Sequence, residues 1–562
     1  MKKLYTFLAA ALMAGSVSAQ NLPTKTITDT GAGTGTVTWS KDTVYILDGF
    51  VFVNDGDTLT IEPGAVIKGM AGTGEDASAL IVAAGGYLSA KGTATEPIIF
   101  TSENDDVTTP SDLDKFANGQ WGGVIMLGKA CLNTVPTVQR IEGIPETEDR
   151  GRYGQLDSTV ACDDTWNAGE LSYISIRHGG SDIGANNEIN GLTMGGVGTG
   201  TKLSYIEVYA NKDDGFEWFG GTASTKYLIS AFVGDDCFDY DQGWRGKNQF
   251  WFAIHQPTTG GHGGEHDGGT SPESGEPFAT PTIVNATYIG QGPNTGRAAV
   301  YFRDNAGGFY HNSIFTDWGR GIFIEVRGGS PENTLQRLKE GDLALKNNIF
   351  YNLENGDQDS IFLMVPANYA DTLEAQVIAD SQFYAINAYN DGNNSYVDPQ
   401  LVSISRDQNL MLDPRPAVGS PALDASSLDS DVYSDAFFTT VDYKGAFDNS
   451  GENFWAAGWT ALSHYGFLRP NIVSIDNEFT AELNMFPNPT TSVFNIVAEG
   501  LEMETVTIAV FDNAGRMVSI EEVTPAAGSI DVAVNMVDAP AGIYTVRVQQ
   551  GAKVAAKRVI KQ

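Results

Sequence analysis

The sequence predicts an all-β protein, in which a long parallel β-helix solenoid is followed by a small immunoglobulin-like β-sandwich. Three observations predict this fold class. Short alternating apolar segments recur at intervals of 21 or 22 residues, a period typical of solenoids. Glycine is abundant, at 64 residues, whereas segments with a helical period are scarce. Near the C-terminus the pattern changes to strands of sandwich type, such as "VTIAVFD" and "GIYTVRVQ".

The N-terminus has the pattern of a signal peptide. Lys2 and Lys3 precede the apolar run "LYTFLAAALMAG", and the small-residue segment "SVSAQ" follows it. We expect a signal peptide at residues 1–19, cleaved between Ala19 and Gln20, and an N-terminal cap of the solenoid at residues 20–57. Because no later apolar run is long enough to span a bilayer, the sequence predicts an exported protein that is not transmembrane.

The repeats define the solenoid, which we expect to occupy residues 58–468. "TLTIEPGAVIKG" at 58–69 aligns with "ALIVAAGGYLSA" at 79–90, and "LSYISI" at 171–176 returns as "LSYIEV" at 203–208. Asparagine precedes a short β-branched or aromatic run in "VNATYI", "HNSIFT" and "KNNIFY". Each repeat is too small to bury its own apolar face, so successive coils stack and share one core. A parallel β-helix follows, with possible asparagine ladders along it.

An acidic and aromatic pattern is repeated at 211–221, "NKDDGFEWFGG", and at 233–243, "VGDDCFDYDQG". Carboxylates stacked one coil apart repel by roughly 1–3 kcal/mol, so they need protons, water or cations. Calcium tolerates oxygen ligands from several loops. The pattern therefore predicts a calcium site, with turn capping by aspartate as the alternative. The candidate ligands are Asp213, Asp214, Glu217, Asp235, Asp236, Asp239 and Asp241, and Asp182 falls near the same column.

Two further groups are candidate binding residues. Trp218, Tyr240 and Trp244 would stack on flat ligands such as sugar rings if they were exposed, or pack in the core if they point inward. "GGHGGEHDGG" at 260–269 brings together His262, Glu265, His266 and Asp267, a donor set that suits a transition metal. The flanking glycines argue against the helix that zinc peptidases use for such a motif, which favours a structural loop.

Three cysteines are present. Cys131 and Cys162 are candidates for a disulfide after export, which leaves Cys237 as a buried small hydrophobe.

Several segments of the solenoid resemble a family of exported bacterial proteins. "LTIEPGAVIKG", "WGGVIMLGKA", "NEINGLTMGGVG" and "DDGFEWFGGT" are similar to segments of right-handed parallel β-helix proteins with the pectate-lyase-like fold. The resemblance extends from about residue 40 to 468. It implies a right-handed coil and no particular activity.

The C-terminal segment resembles the type A sorting domain of type IX secretion substrates. We expect a linker at 469–483 and this domain at 484–562. The resemblance is carried by "MFPNPTTSVFNI", "VFDNAGRMV" and "APAGIYTVRV", with Pro487, Asn488, Pro489, Gly515, Gly542 and Tyr544 as motif residues. It implies export by the type IX machinery of a Gram-negative bacterium and cleavage by a surface sortase. Release, or attachment to lipopolysaccharide at the outer membrane, would follow.

The net charge of −36 and the pI near 4.3 exclude nucleic acid as a partner and favour divalent cations. We expect a surface or secreted protein that binds an extracellular ligand such as a polysaccharide, with calcium as the candidate cofactor. One alternative is a polysaccharide lyase or glycoside hydrolase acting at 213–241. For a lyase, the nearest basic groups are Arg177, His178 and Arg245. A structural surface coat is the second alternative, and the sequence identifies no catalytic residue.

Overall fold

A computed structural model describes residues 22–468 and 483–562, apart from gaps at 185–186, 270, 329, 331–332, 355, 357–359, 369–371, 451–453, 502–504, 512–516, 527, 538 and 551–552. The chain divides into two compact units, residues 1–470 and 471–562. The predicted signal peptide with Ala19 and Gln20, most of the predicted linker, and Gly515 lie outside the described residues.

The first unit is built almost entirely of short strands. They are β1 (Thr24–Thr28), β2 (Val37–Trp39), β3 (Val44–Asp48), β4 (Phe50–Val53), β5 (Thr58–Ile61), β6 (Val66–Gly69), β7 (Ala79–Val82), β8 (Tyr87–Lys91), β9 (Ile98–Ser102), β10 (Val124–Leu127), β11 (Val138–Arg140), β12 (Arg152–Gly154), β13 (Gly169–Arg177), β14 (Asp182–Gly184), β15 (Asn187–Glu188), β16 (Leu192–Val197), β17 (Lys202–Tyr209), β18 (Phe216–Gly221), β19 (Ser224–Ala231), β20 (Phe238–Asp241), β21 (Lys247–Ile254), β22 (Glu265–Asp267), β23 (Thr282–Val284), β24 (Thr287–Ile289), β25 (Ala298–Arg303), β26 (Gly308–His311), β27 (Ile314–Thr316), β28 (Arg320–Val326), β29 (Leu343–Lys346), β30 (Ile349–Tyr351), β31 (Phe362–Pro366), β32 (Ser395–Tyr396), β33 (Leu401–Ser403) and β34 (Asp413–Pro416).

Helices are few in this unit. The α-helices are α1 (Thr334–Glu340), α2 (Thr372–Asp391) and α3 (Ala461–His464), and single 3₁₀ turns lie at Gly74–Asp76, Asp149–Gly151, Pro421–Leu423, Ala425–Ser427 and Asp431–Ser434.

Two long parallel sheets wind around one core, which confirms the predicted β-helix. Among the described residues the first sheet has 18 strands, and the second has ten in the order β31-β28-β25-β22-β20-β18-β16-β10-β7-β4. Apolar side chains of alternating positions point inward and stack from coil to coil, as Leu59 does on Leu88 and Val82 on Met126. Because each strand is only a few residues long, this shared interior is what stabilises the coils.

The first sheet bends along a column of residues in the left-handed backbone region. Tyr173, Tyr205, Tyr227 and Phe250 occupy successive coils with φ of 51°, 55°, 61° and 63°. Asn285, Asn312 and Asn347 continue the column, also with positive φ. Asparagine tolerates this conformation better than most residues. The recurring asparagines of the sequence are therefore corner residues.

The predicted asparagine ladder forms one position later, where the Asn348 side chain donates to that of Asn394 on the next coil at 3.0 Å. The corner asparagines bond elsewhere. Asn285 donates to the carbonyl of Tyr443 at 2.9 Å, and Asn347 donates to the carbonyl of Ser427 at 2.8 Å. Both partners lie in a later segment that packs on the outside of the first sheet.

The solenoid boundaries differ from those predicted. Residues 24–53, expected as a cap, already pair in parallel with the coils above them, β1 with β3, β2 with β5 and β4 with β7. The coils end at β32, which pairs with β30. Residues 398–468, here called the strap, do not form coils. Their apolar side chains, among them Phe447, Trp459 and Phe467, pack against outward residues of the first sheet.

The second unit, described from residue 483, contains β35 (Leu483–Phe486), β36 (Val493–Glu499), β37 (Val506–Phe511), β38 (Met517–Val523), β39 (Ser529–Asn535), β40 (Gly542–Gln550) and β41 (Lys553–Lys561). They form two antiparallel sheets, β35-β36-β39 and β38-β37-β40-β41, around one apolar core. This small β domain is the one predicted from the alternating pattern.

Candidate functional site

The alternation of the strands sends the acidic side chains of the second sheet outward. In β18, Phe216 and Trp218 belong to the core, so Glu217 lies on the opposite, outer side. Parallel register stacks Glu217 on Asp239 and Asp239 on Glu265, and the column continues through Tyr301 and Phe323. A second outward column holds Phe219, Asp241, Asp267 and Arg303. We call this surface, together with the corner that precedes β18 and β20, the acidic face.

The corner brings three of the predicted calcium ligands together. One carboxylate oxygen from each of Asp213, Asp214 and Asp235 lies within 4.8 Å of the other two. Asp214 also accepts a hydrogen bond from the backbone of Asp236 at 2.8 Å, and Asp236 accepts one from the backbone of His262. Asp214 and Asp236 therefore cap turns, as the alternative interpretation expected, and Asp214 is also one of the three clustered carboxylates.

Burial and mutual repulsion make these carboxyl groups weak acids. Burial, and next the charges of Glu142 and Glu188, raise the pKa of Asp213 to about 7. Burial also raises the pKa well above the usual range, with neighbouring carboxylates adding to it, for Asp214, Glu217, Asp236, Asp239 and Asp267. Arg303 offsets part of the charge, because its guanidinium lies 2.9 Å from Glu265 and 2.5 Å from Asp267.

Sequence reasoning missed Glu142. This residue lies in the loop closed by the Cys131–Cys162 disulfide, which the structure forms as expected. The Asn190 amide donates to Glu142 at 2.9 Å and also to Glu217. Glu142 therefore reaches the acidic face from a segment without repeats, where no periodicity could have indicated it.

The predicted ligand-stacking aromatics are not on this surface, so that interpretation was wrong. Trp218, Tyr240 and Trp244 are 0%, 1% and 0% exposed. Trp218 stacks on Trp244 inside the coil, with ring centroids 4.5 Å apart. Successive side chains of a strand point to opposite faces, so Trp218 and Tyr240 point inward next to the outward Glu217 and Asp239. Tyr301 and Phe323 do face outward, both are half-buried, and their ring centroids lie 5.7 Å apart.

The four candidate transition-metal donors of the histidine-containing loop do not point to one place, which agrees with the structural loop that the sequence favours. His266 points into the core and lies 2.7 Å from the Tyr310 hydroxyl, while Glu265 and Asp267 point outward to Arg303. His262 accepts a hydrogen bond from the backbone of Ala298 at 2.9 Å. Burial lowers the pKa of His262 to about 4 and that of His266 to about 3, so both rings are neutral structural groups.

The basic groups expected for a lyase are also elsewhere. Arg177 and His178 lie at the end of β13 in the first sheet, 2% and 0% exposed, and His178 contacts the Tyr465 hydroxyl of the strap at 2.8 Å. Arg245 pairs with Asp164 at 2.9 Å, and Asp182 pairs with Lys212. None of these side chains is placed as a proton acceptor at the corner, so the lyase assignment of these residues was wrong.

The second unit shows how the sorting motif is built. Pro487, Asn488 and Pro489 follow β35, and the Asn488 side chain donates to the carbonyl of Arg558 at 2.8 Å and accepts from the amide of Ile560 at 2.9 Å. Gly542 begins β40, and the buried Tyr544 donates to the carbonyl of Pro540 at 2.7 Å. The motif therefore fastens the last strand to the first.

Comparison with known families agrees with both units. A model of the pectate-lyase-like beta helix domain matches residues 31–397. The chain belongs to the pectate-lyase-like beta-helix family. A model of the secretion system C-terminal sorting domain matches residues 484–562. This β-helix protein is therefore a type IX secretion substrate of a Bacteroidetes-type Gram-negative bacterium, located at the cell surface or outside the cell.

Similarity to individual proteins is low. Tailspike protein 2 of the Escherichia coli O157:H7 bacteriophage CAB120 is 9% identical, with a TM-score of 0.17, and the match covers 92% of this chain and 64% of the tailspike. No curated protein sequence matches this β-helix protein. Within the described part of the chain, no helix has both the length and the apolar character needed to cross a membrane.

Proposed function

We propose that this protein is a secreted or surface-attached binding protein that holds an extracellular polysaccharide on the acidic face. The observation that carries the proposal is the outward column in which Glu217, Asp239 and Glu265 are followed by Tyr301 and Phe323. Carboxylates accept hydrogen bonds from hydroxyl groups, and a half-buried aromatic ring supports the apolar face of a sugar. A site for a hydroxyl-rich chain uses both kinds of contact, the hydrogen-bond acceptors and the aromatic ring.

The geometry of the column favours an extended, uncharged ligand. Successive positions in a parallel sheet are about 4.8 Å apart, so a chain running along the column meets a new side chain at every coil. The side chains are carried by strands, which hold a fixed spacing better than loops do. The formal net charge of −36 repels an anionic polysaccharide unless a cation bridges the two. We therefore infer a neutral polysaccharide as the ligand.

The test is a glycan-binding screen of the purified protein, followed by calorimetry on the strongest neutral polysaccharide. Tyr301→Ala and Asp239→Asn are expected to weaken binding about five- to thirtyfold each, since each removes one contact of about 1–2 kcal/mol. Tyr396→Ala is the matched control, because Tyr396 is a 36% exposed tyrosine at the far end of the solenoid. Equal affinity of all three variants and the wild type, or no binding to any glycan, would contradict the proposal.

A second candidate function, glycoside hydrolysis, is favoured by Asp213. The raised pKa, about 7, suits a general acid, and Asp214 and Asp235 supply carboxylates beside it. If the protein is a hydrolase, bound polysaccharide will release reducing ends, and Asp213→Asn will abolish that release while leaving binding intact. Binding without any release of reducing ends assigns the acidic face to recognition alone.

A further inference from the structure

The outer side of the second sheet changes from covered to open along the solenoid. The outward column that contains Glu217 begins with four side chains that are at most 1% exposed, Phe52, Ile81, Ile125 and Thr193. Its later side chains are half-buried, and they are Asp239, Glu265, Tyr301, Phe323 and Leu363. Glu217, 8% exposed, lies at the boundary. The acidic face is therefore open toward β31 and closed toward β16.

The cover is the disulfide-closed loop 131–162. Its Ile141 and Ile144 are 3% and 4% exposed and belong to the same apolar cluster as the outward residues of β7 and β10. The loop lies directly on the sheet, because a Cβ atom added to Gly195 of β16 would lie 2.9 Å from the ring of Tyr153. We call the edge of this loop that faces the open part of the column the step.

The step is fixed to the coils at which it ends. In the column of Glu217, the side-chain nitrogen of Asn190 donates to Glu142 of the loop at 2.9 Å and also to Glu217 itself. Beside the neighbouring column, the Tyr153 hydroxyl donates to the side chain of Gln242, just beyond β20, at 2.8 Å. Together with the disulfide, these contacts make the step a fixed wall across the sheet.

An extended chain that lies along the open column has to end at this wall. In the described part of the sheet, five successive strands from β20 to β31 carry the open column, which at about 4.8 Å per coil spans about 19 Å. A chain that continued over the covered coils would have to rise over the loop and lose its contacts with the column. At the step, the half-buried Glu142 and Glu217 offer carboxyl oxygens to the hydroxyl groups of a chain end.

We propose that the protein binds its polysaccharide by one end of the chain, with the terminal sugar against the step and Glu142 as a specificity-determining residue. This inference rests on the proposed function and adds which part of the polysaccharide is recognised. A surface open at both ends accepts internal stretches, so many copies of the protein bind one long chain. A surface closed by a step accepts one copy per recognised end.

The number of protein copies on each polysaccharide chain tests the inference. The probe is the linear neutral glucan or mannan that binds most strongly in the glycan screen, separated into a short and a long fraction. Light scattering of each fraction with an excess of the full-length protein gives the number of copies. We expect one copy per chain for both fractions, because the two ends of a linear chain differ chemically.

Two other outcomes are distinguishable. A number of copies that rises in proportion to chain length would overturn the inference and leave the proposed function intact. No binding to any glycan would overturn the proposed function, and this inference with it.

A substitution at the step gives a second measurement. Glu142→Ala is expected to weaken binding of the short fraction about five- to thirtyfold, through the loss of one contact with the terminal sugar. Glu146→Ala is the matched control, because Glu146 carries the same charge in the same loop but is exposed. Wild-type affinity in Glu142→Ala would overturn the placement of the chain end at the step. The copy number is measured on the wild type, so it decides the question even if Glu142→Ala disturbs the loop.

Discussion

One buried carboxylate, Glu207, binds the start of α3 in the strap to the first sheet. This residue is 0% exposed and accepts hydrogen bonds from the backbone amides of Ala461 and Leu462, at 2.5 and 3.1 Å, and from the Ser175 hydroxyl at 2.6 Å. The buried Arg177 lies nearby as the opposite charge, and its Nε donates to the same Ser175 hydroxyl at 2.8 Å. Two consecutive amides at the start of α3 are therefore held by a side chain of β17.

The perturbation is Glu207→Gln. The carboxamide has one acceptor oxygen, so one of the two amides loses its partner, and Arg177 is left buried without a countercharge. Removing one member of a buried pair costs about 3–5 kcal/mol, and we take the lower value because the hydroxyl contact can persist. A local loss of about 3 kcal/mol speeds exchange roughly a hundredfold if the strap opens on its own.

The assay is native-state hydrogen exchange of the amides of Ala461 and Leu462. Glu170→Gln is the control, since Glu170 is a glutamate of the same sheet whose side chain is 35% exposed in a 3.6 Å ion pair with Lys91. The reasoning is refuted if Glu207→Gln leaves the exchange of both amides within about threefold of the wild type. A hundredfold increase in Glu170→Gln would equally refute it, because the effect would then not be specific to the buried carboxylate.

Three further perturbations follow from the structure. Lys444 is 2% exposed, and burial lowers its pKa from 10.5 to about 8. The buried charge therefore lowers the free energy of unfolding below pH 8, and this loss disappears as the pH rises to 10.5. Lys444→Met should therefore stabilise the protein at pH 7 by up to about 3 kcal/mol in urea unfolding, and this gain should shrink toward pH 10; a gain independent of pH would contradict the assignment. Replacing Cys131 and Cys162 by Ser opens a loop with a sequence separation of 31 and should lower the free energy of unfolding by about 3–4 kcal/mol in the same assay, whereas no change would show that the disulfide does not constrain the unfolded chain. Trp218→Ala should cost about 3–5 kcal/mol because Trp218 is 0% exposed within the stack of Trp244 and Trp251, and a near-neutral effect would mean that the ring is not in the core.

The β-helix could be predicted because equivalent positions of successive coils have the same environment, so similar residues recur in the sequence. A strand one coil away meets the same environment, so Phe216 on Phe238 and Glu217 on Asp239 follow from an offset of 22 residues in the sequence. The alternation of side chains along a strand also limits which residues can share one surface. Glu217 and Trp218 are adjacent in one strand, so they lie on opposite sides of the sheet and cannot both be surface ligands.

The contacts made by non-repeating segments could not be predicted in this way. Glu142 and the strap reach the solenoid through tertiary contacts with partners dozens to hundreds of residues away, such as Glu142 with Asn190 and Leu462 with Glu207. No local pattern specifies such contacts. The sequence predicts further coils for the strap because its apolar residues resemble those of the core, but they pack on the outer side of the first sheet.

The central claim is that the acidic face is the surface with which this secreted protein binds its ligand. It is tested most directly by hydrogen–deuterium exchange of the full chain with and without saturating amounts of the strongest neutral polysaccharide from the glycan screen. The expected result is slower exchange in peptides covering β18, β20, β25 and β28 of the second sheet, with the strap and the strands of the first sheet unchanged. Slower exchange confined to the first sheet, the strap or the C-terminal unit would contradict the claim.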